Sequence, residues 1–435
     1  MSRATNPTER SRALRAGGWG LGALVLVGAI VSGCTSQAAA MAEATSQATR
    51  AAVSPDAATQ AATAVDAFGL DFYKAAFTAG GNAVFSPTSI VLALSMAQAG
   101  AVGETASQMD TVLHSAAGTG DGNGINSLDQ SLAGLSGTFK DANGKDLELT
   151  LRIANAPFAQ SGLQLQRAYL DTLASRYGAG LRLVDFANAP AGACKLIDGW
   201  VSDQTEGRIP KLLESLDSAT HLVLVNAIYL QAPWQTPFDV QNTNPEPFTR
   251  SDGSQVSVPT MGLNLSVADY ASGSGWQAVE LPYAGGSLVM TIVVPDNLAT
   301  FERSLDVARF AQITASLEPT DVDLTLPRFK IETKSDLSSV LAQMGMPLAF
   351  DPDRADFSGI TTQEQLYISA VIHQANISVD EKGTEASAAT AVVMTAGLAP
   401  SKQVTLHVDR PFIFAVRDTN TGAILFLGRV TDPSA

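Results

Sequence analysis

ISAVIHQANISVDEKGTEASAAT, residues 368–390, divides into two halves of opposite character. The first half belongs to a run from 366 to 379 that is apolar on both faces, the pattern of a strand buried in a large sheet. Beyond the turn at Gly383 the residues shrink. From Ala386 to Val393 every one is small or β-compatible, and no proline occurs between Asp353 and Ala399. Proline would delete a ladder hydrogen bond, so this second half is competent to become a strand itself. Thr384, Ala386, Ala388 and Thr390 would then share one face, each small enough to slide over a packed core. Gly383 supplies the backbone freedom where the chain turns. Taken alone, the same residues also describe an Ala-rich surface loop, and the flanking sequence has to decide between the two.

Outward from that stretch the chain mixes helices with strands and contains no internal repeat, which is α+β in character. Strand-like runs occur at 181–186, 221–230, 277–282, 288–295, 322–331, 366–379 and 403–429. Val65, Phe68, Phe72 and Ala76 fall at helical spacing, as do Ile90, Leu94 and Ala97 after Pro87. Two more helices are expected at 168–177 and 193–205, the latter with Ile197, Trp200 and Val201 on one face.

The chain has 435 residues, 46% hydrophobic and 16% charged, a globular composition able to bury a large core. Its formal charge is −15, which argues against nucleic acid as a partner and says nothing about fold. No G-x-S-x-G, H-E-x-x-H, G-x-G-x-x-G or C-x-x-C motif is present, and there are only four histidines. General bases and zinc ligands are drawn first from histidine, so enzymatic and metal readings weaken together, and no cofactor or metal is expected.

The first 33 residues read as an export signal. Arg3, Arg10, Arg12 and Arg15 precede an apolar stretch from Ala16 to Val31, too short to span a membrane comfortably. It ends in Val31, Ser32, Gly33 and Cys34, which resembles the lipobox of bacterial lipoproteins and implies acylation of Cys34. The run from Thr35 to Thr63 is rich in Ala, Thr, Ser and Gln and cannot bury enough surface to fold alone, so residues 34–63 read as a tether and 64–435 as the folded domain. Only Cys194 remains beside Cys34, so no internal disulfide is expected, and Cys194 reads as a small buried apolar residue.

Six blocks in order carry a family resemblance. They are NAVFSPTSIVLALSMAQAGAVGETASQM (82–109), DGWVSDQTEGRIPKLL (198–213), LVLVNAIYLQAPWQTPF (222–238), VSVPTM with VELPY (256–261 and 279–283), LPRFKIETKSDL (326–337), and residues 368–390 with DRPFIFAVRDTNTGAILFLGRV (409–430). Together they resemble the serpins, from about residue 65 to the end. The resemblance implies a large central mixed sheet with smaller sheets, eight or nine helices and an exposed reactive-centre loop. It implies no enzymatic activity; the chain is expected to be a monomer whose partner is a serine protease held as a covalent complex. A protease cleaves the loop and is acylated, and the freed strand then enters the sheet, the strand insertion that serpins exemplify. About 12 inserted residues at roughly 3.3 Å each would carry the protease some 40 Å along the sheet.

Under the same resemblance, Glu381, Gly383, Thr384, Ala386, Ala388 and Thr390 form the hinge. Ser86, Ser89, Asn226 and His373 match a polar cluster, the shutter, where the sheet must part. Trp234 matches the breach at the top of the sheet, and Arg328 pairs with Glu381. Asp198 stands where the family usually has Asn, and Leu230, Gln231 and Ala232 replace the usual aromatic, lysine and glycine. The family's spacing from Gly383 puts the scissile bond between Gly397 and Leu398; the bonds Met394–Thr395 and Leu398–Ala399 are alternatives, since the stretch from Gly383 to Pro411 is longer than usual. The first two bonds point to elastase- or subtilisin-like targets and the third to chymotrypsin-like ones. No Arg or Lys lies between Lys382 and Lys402, which disfavours trypsin-like targets. The segment from Ser127 to Lys145 lacks a basic helix, so control by heparin is not expected. The hinge carries nothing bulky on its inward face, which favours an inhibitor. The alternative is a non-inhibitory relative that acts as a binding module and is cleaved without trapping. Cys34 implies a cell-envelope lipoprotein, exported and anchored at the outer surface of a membrane.

Overall fold

The structure, a computed structural model, describes residues 41–77, 80–115, 122–140, 144–385 and 403–435. Two sheets and nine α-helices account for most of these residues. The first sheet runs, in spatial order, through Ala42–Ala44, Leu181–Val184, Asp146–Gln160, Leu222–Pro233, Gly383–Thr384, Ile368–Asp380 and Phe329–Asp336, with Gly137–Lys140 paired to one side of the long strand. It is mixed: Leu222–Pro233 is parallel to Ile368–Asp380 and antiparallel to Asp146–Gln160. The second sheet orders Gln403–His407, Glu318–Pro327, Gln255–Gly273, Trp276–Pro282, Leu288–Pro295, Phe412–Asp418, Ile424–Val430 and Ala83–Phe85. This is the α+β serpin architecture that the resemblance implies.

Alternation along Leu222–Pro233 explains the layering. Leu222, Leu224, Ile228, Leu230 and Ala232 point into the main core, which also takes in Phe68 and Phe72 of helix Pro55–Ala76 and Ile90 and Leu94 of helix Pro87–Gln98. Val223, Val225 and Ala227 point the other way, onto a second core closed by helix Pro190–Gln204 through Ala193, Cys194, Ile197 and Val201. A strand with both faces covered reads as a near-continuous apolar run, as this one does apart from Asn226 and Gln231. Asp198 on the same helix accepts the backbone amides of Leu212 and Leu213 at 2.9 and 2.8 Å, work that Asn at this position would do equally well.

Two expectations are corrected. The single run read at 322–331 is two strands, Glu318–Pro327 in one sheet and Phe329–Asp336 in the other, with Arg328 at the crossing. The run 403–429 is three strands, broken at the turns after His407 and Asp418. Periodicity in apolar residues does not register a change of sheet.

The segment read as a tether is ordered from Met41 onward. Ala42–Ala44 adds an edge strand to Leu181–Val184, and the first helix begins at Pro55 rather than near residue 64. The segment has too little apolar surface to fold alone, but it borrows partners. Arg50 reaches Asn126 and Asp129, Ala51 O accepts from Asn126 and Gln130, and the Ser54 amide donates to Ser127 Oγ at 3.0 Å. Residues 1–33 and Cys34 lie outside the described residues.

Candidate functional site

Leu222–Pro233 and Ile368–Asp380 pair directly from Leu222 and Ile368 to Ile228 and Ala375. Above that point they diverge, and Gly383–Thr384 sits between them: Thr384 lies opposite Ala232 and Val379, Gly383 opposite Pro233 and Asp380. The hinge has therefore entered the sheet by two residues. A tight turn brings it back. The Lys382 amide donates to Asp380 Oδ1 at 2.8 Å, and Lys382 O accepts from the Trp234 amide at 2.8 Å. Gly383 has φ +146°, and a Cβ there would lie 2.1 Å from Ala232 O, so a side chain is excluded on both counts.

Thr384 is fully buried and its hydroxyl meets the Tyr283 hydroxyl at 2.6 Å. Burial without a charged neighbour pushes the Tyr283 phenol well above its ordinary pKa, keeping it neutral and able to share that hydrogen bond. The Tyr283 ring stacks on Trp234 at 4.5 Å between centroids, and Trp234 Nε1 donates to Asp380 O at 2.9 Å. Trp234 thus covers Gly383–Thr384 through Tyr283 and fastens the turn that precedes them.

Glu381 points away from this roof into a cluster with Arg328 and Thr243. Arg328 Nε donates to Glu381 Oε1 at 2.7 Å, Arg328 Nη2 donates to the same oxygen, and the Thr243 hydroxyl joins at 2.5 Å. Burial raises the carboxyl's pKa, but the Arg328 and Thr243 hydrogen bonds outweigh it and hold it below the ordinary glutamate value. The pair is accordingly a half-buried, charge-assisted contact rather than a solvated surface one.

The four shutter residues meet below the entry point. Ser86 caps helix Pro87–Gln98, its hydroxyl accepting the Ser89 amide at 3.1 Å. His373 Nε2 accepts the Ser86 amide at 3.2 Å, and the Asn226 side-chain oxygen takes His373 Nδ1, which assigns the proton to Nδ1. Asn226 Nδ2 donates to Ser89 and to Asn155, and Ser89 Oγ donates to Asn155 Oδ1 at 3.1 Å. Asn226 and His373 face each other across the directly paired strands Leu222–Pro233 and Ile368–Asp380. Complete burial lowers the His373 pKa to about 3, so the imidazole is neutral.

Of the residues singled out from sequence, the structure brings together Ser86, Ser89, Asn226 and His373 at the shutter and Trp234, Glu381, Gly383, Thr384 and Arg328 at the breach. Ala386, Ala388 and Thr390 of the hinge lie outside the described residues. So do Gly397 and Leu398 with the alternatives Met394, Thr395 and Ala399. Sequence reasoning missed Asn155, Thr243 and Tyr283. Tyr283 ends the quoted block VELPY and was legible there; Asn155 and Thr243 sit among residues with no distinguishing pattern.

A family model described as Serpin (serine protease inhibitor) matches residues 63–433. The leukocyte elastase inhibitor of Xenopus laevis is 35% identical over 364 residues, covering 81% of this chain and 93% of that one. An uncharacterized serpin-like protein of Thermococcus kodakarensis is 37% identical over 378 residues, 85% of each chain. Among solved structures, the thermophilic serpin tengpin in its native state superposes with a TM-score of 0.79 at 27% identity, covering 90% of this chain and 99% of that one.

Proposed function

Because this chain belongs to the serpin family of protease inhibitors, which are not enzymes, we propose that it is a suicide-substrate inhibitor of serine proteases tolerant of small or apolar residues, of the elastase, subtilisin or chymotrypsin kind. The observation that carries this reading is the seating of Gly383–Thr384 between Leu222–Pro233 and Ile368–Asp380. Insertion of a cleaved loop means replacing the direct pairing below Thr384 by two new ladders, one on each side. The entry is already open, its roof is built by Trp234 and Tyr283, and the strands ahead are joined by a polar cluster whose members can exchange partners as the strands separate. Nothing on Thr384 has to be desolvated, since it is buried at rest.

The inhibitor would be exported and held at the outer surface of a membrane by lipid on Cys34, at roughly 0.8 kcal/mol per buried methylene. The lipobox-like end of the leader supports this. Labelled fatty acid should enter the wild-type chain and not Cys34→Ser in the producing cell.

Mixing residues 41–435 with elastase, subtilisin, chymotrypsin and trypsin, then weighing the products under denaturing conditions, tests the main proposal. A covalent adduct with a released C-terminal peptide is expected with one of the first three, and the peptide's mass identifies the bond. Cleavage of the loop with no adduct by any of them would replace this reading with that of a non-inhibitory binding module.

A further inference from the structure

The register of the first sheet fixes where the N-terminal segment joins the folded body. Ala42 lies opposite Leu183, Leu183 opposite Ala159, and Ala159 opposite Leu222. Ala42 therefore stands level with Leu222, at the start of Leu222–Pro233. Gly383 stands level with Pro233, at the other end of that strand. Pro233 is eleven residues beyond Leu222, about 36 Å along the sheet at roughly 3.3 Å each. Two antiparallel pairings and one parallel pairing lie between Ala42–Ala44 and Leu222–Pro233, so the two strands run in the same direction. Met41 is thus the end of the edge strand that points away from the hinge.

The segment that follows is closely seated. Arg182 Nη2 lies 3.5 Å from Glu43 Oε1, and a Cβ on Gly180 would lie 2.7 Å from Ala44 O. Ser46 Oγ donates to Asp171, the Ala51 amide donates to Ser175 O at 2.8 Å, and Arg50 pairs with Asp129. Between Cys34 and Met41 only residues 35–40 remain as spacer. Such a spacer reaches at most about 25 Å, where a tether running on to residue 63 would reach roughly 100 Å. Charge acts in the same sense. Residues 1–33 hold four arginines and one glutamate, so the remainder of a chain of formal charge −15 carries −18. A body of that charge is repelled by anionic lipid and does not lie down on it.

We propose that the anchor on Cys34 holds the inhibitor upright by the pole opposite its reactive loop, and so presents the loop to proteases arriving from the surrounding medium. This rests on the reading of the chain as a lipid-anchored inhibitor. The pole facing the membrane is the end of the sheet that carries Met41, Leu222 and Ile368, while the hinge leaves the sheet after Thr384 at the far end. The edge strand Ala42–Ala44 sets this orientation, because it fixes the point on the body from which the spacer departs.

Two tryptophans report on the two poles. Trp200 lies against Arg182 and Phe158, level with Val223, and Trp234 follows Pro233. Residues 34–435 in a Trp276→Phe background are coupled through Cys34 to maleimide lipid in vesicles of phosphatidylcholine and phosphatidylglycerol that carry a dansyl headgroup acceptor; Cys194 is buried and does not compete. Trp234→Phe then leaves Trp200 as the donor, and Trp200→Phe leaves Trp234. With the two indoles roughly 35 Å apart along the sheet, the chain that keeps Trp200 should transfer energy to the lipid at least about fivefold more efficiently. Equal transfer from the two, or more from Trp234, overturns the proposal. Replacing residues 41–54 by a Gly/Ser stretch of equal length should lower the transfer from Trp200; unchanged transfer in a variant with native circular dichroism would show that the edge strand does not set the distance, and overturns it as well. Soluble subtilisin should cleave the loop of coupled and free chains at the same rate, and protection on coupling would place the loop against the membrane, contrary to the proposal. The coupling is chemical, so none of these outcomes depends on whether the producing cell acylates Cys34 or whether the chain traps a protease.

Discussion

Arg328 stands where the chain crosses from one sheet to the other, and it donates both Nε and Nη2 to a single oxygen of Glu381, two residues before the hinge glycine. The contact ties the hinge to the joint between the sheets. Arg328→Ala leaves that carboxylate with only Thr243 for a partner and should lower stability by about 2 kcal/mol, the usual worth of hydrogen bonds to a charged group. Because the folded pKa of Glu381 is depressed, its contribution is present above the ordinary glutamate value and is lost as pH falls through the folded one. Denaturant unfolding of wild type and variant should therefore differ at pH 7 and converge in acid; an equal difference at every pH would show that the ion pair is not the source.

Adding one methyl group at the entry gives a sharper outcome. Gly383→Ala places Cβ against Ala232 O and demands a φ that alanine rarely adopts. The hinge should be expelled, and cleavage after Lys382 by a lysine-specific endopeptidase should become faster than in the wild type. Retained protection would mean that the strands open further than the resting geometry indicates.

His373 predicts an acid response. Its pKa of about 3 lies below the ordinary histidine value, so the unfolded chain binds the proton and the native one does not. Stability from this residue is present above about pH 6.5 and falls as pH drops towards 3. His373→Leu should be less stable than wild type at pH 7.5, by about 2 kcal/mol for the hydrogen bonds to Ser86 and Asn226, yet that deficit should shrink between pH 6.5 and 4.5. A constant deficit across this window would contradict the neutral, buried imidazole.

Asp66 behaves in the opposite sense. Burial raises its carboxyl to about 7, against the lowering effects of the Ile424 amide and Arg417. The native state therefore holds a proton that the unfolded chain releases, and the contribution to stability falls as pH rises from the ordinary carboxylate range through 7. Asp66→Asn keeps an acceptor for the Ile424 amide, 2.9 Å away, without the charge. Its thermal midpoint should exceed that of the wild type at pH 8 and by much less at pH 5.

Truncation at the N-terminus separates tether from fold. The reference is the chain without the residues before Met41. Removing those before Pro55 orphans the buried side chains of Asn126 and Ser127 and should lower the midpoint by several degrees, each orphaned group costing about 1–3 kcal/mol. Equal midpoints for the two truncations would return residues 41–54 to the tether.

Helix Pro87–Gln98 and strand Ile368–Asp380 were legible because their apolar spacing, a proline at the first helical turn and an uninterrupted β-compatible run are local signals. That Ser86, Ser89, Asn226 and His373 form one buried polar cluster was suggested only by the family resemblance, since taken singly they are ordinary core polar residues. Asn155 was not legible at all: it enters through an antiparallel pairing with the strand that carries Asn226, 71 residues away. The same holds for Thr243, which meets Glu381 across 138 residues.

The sequence by itself determined the α+β class, part of the helices and strands, and a run beyond Gly383 of residues small enough to pass into a sheet, because these follow from side-chain size and period along a few turns of chain, while the matched blocks pointed to the family. Tertiary structure alone decided that residues 41–63 pack onto the rest of the fold, that the chain changes sheets at Arg328, and that Gly383–Thr384 lies between Leu222–Pro233 and Ile368–Asp380. Each of these depends on an unsatisfied edge, amide or charge finding its partner on a distant segment, and only the folded chain specifies which segments are neighbours.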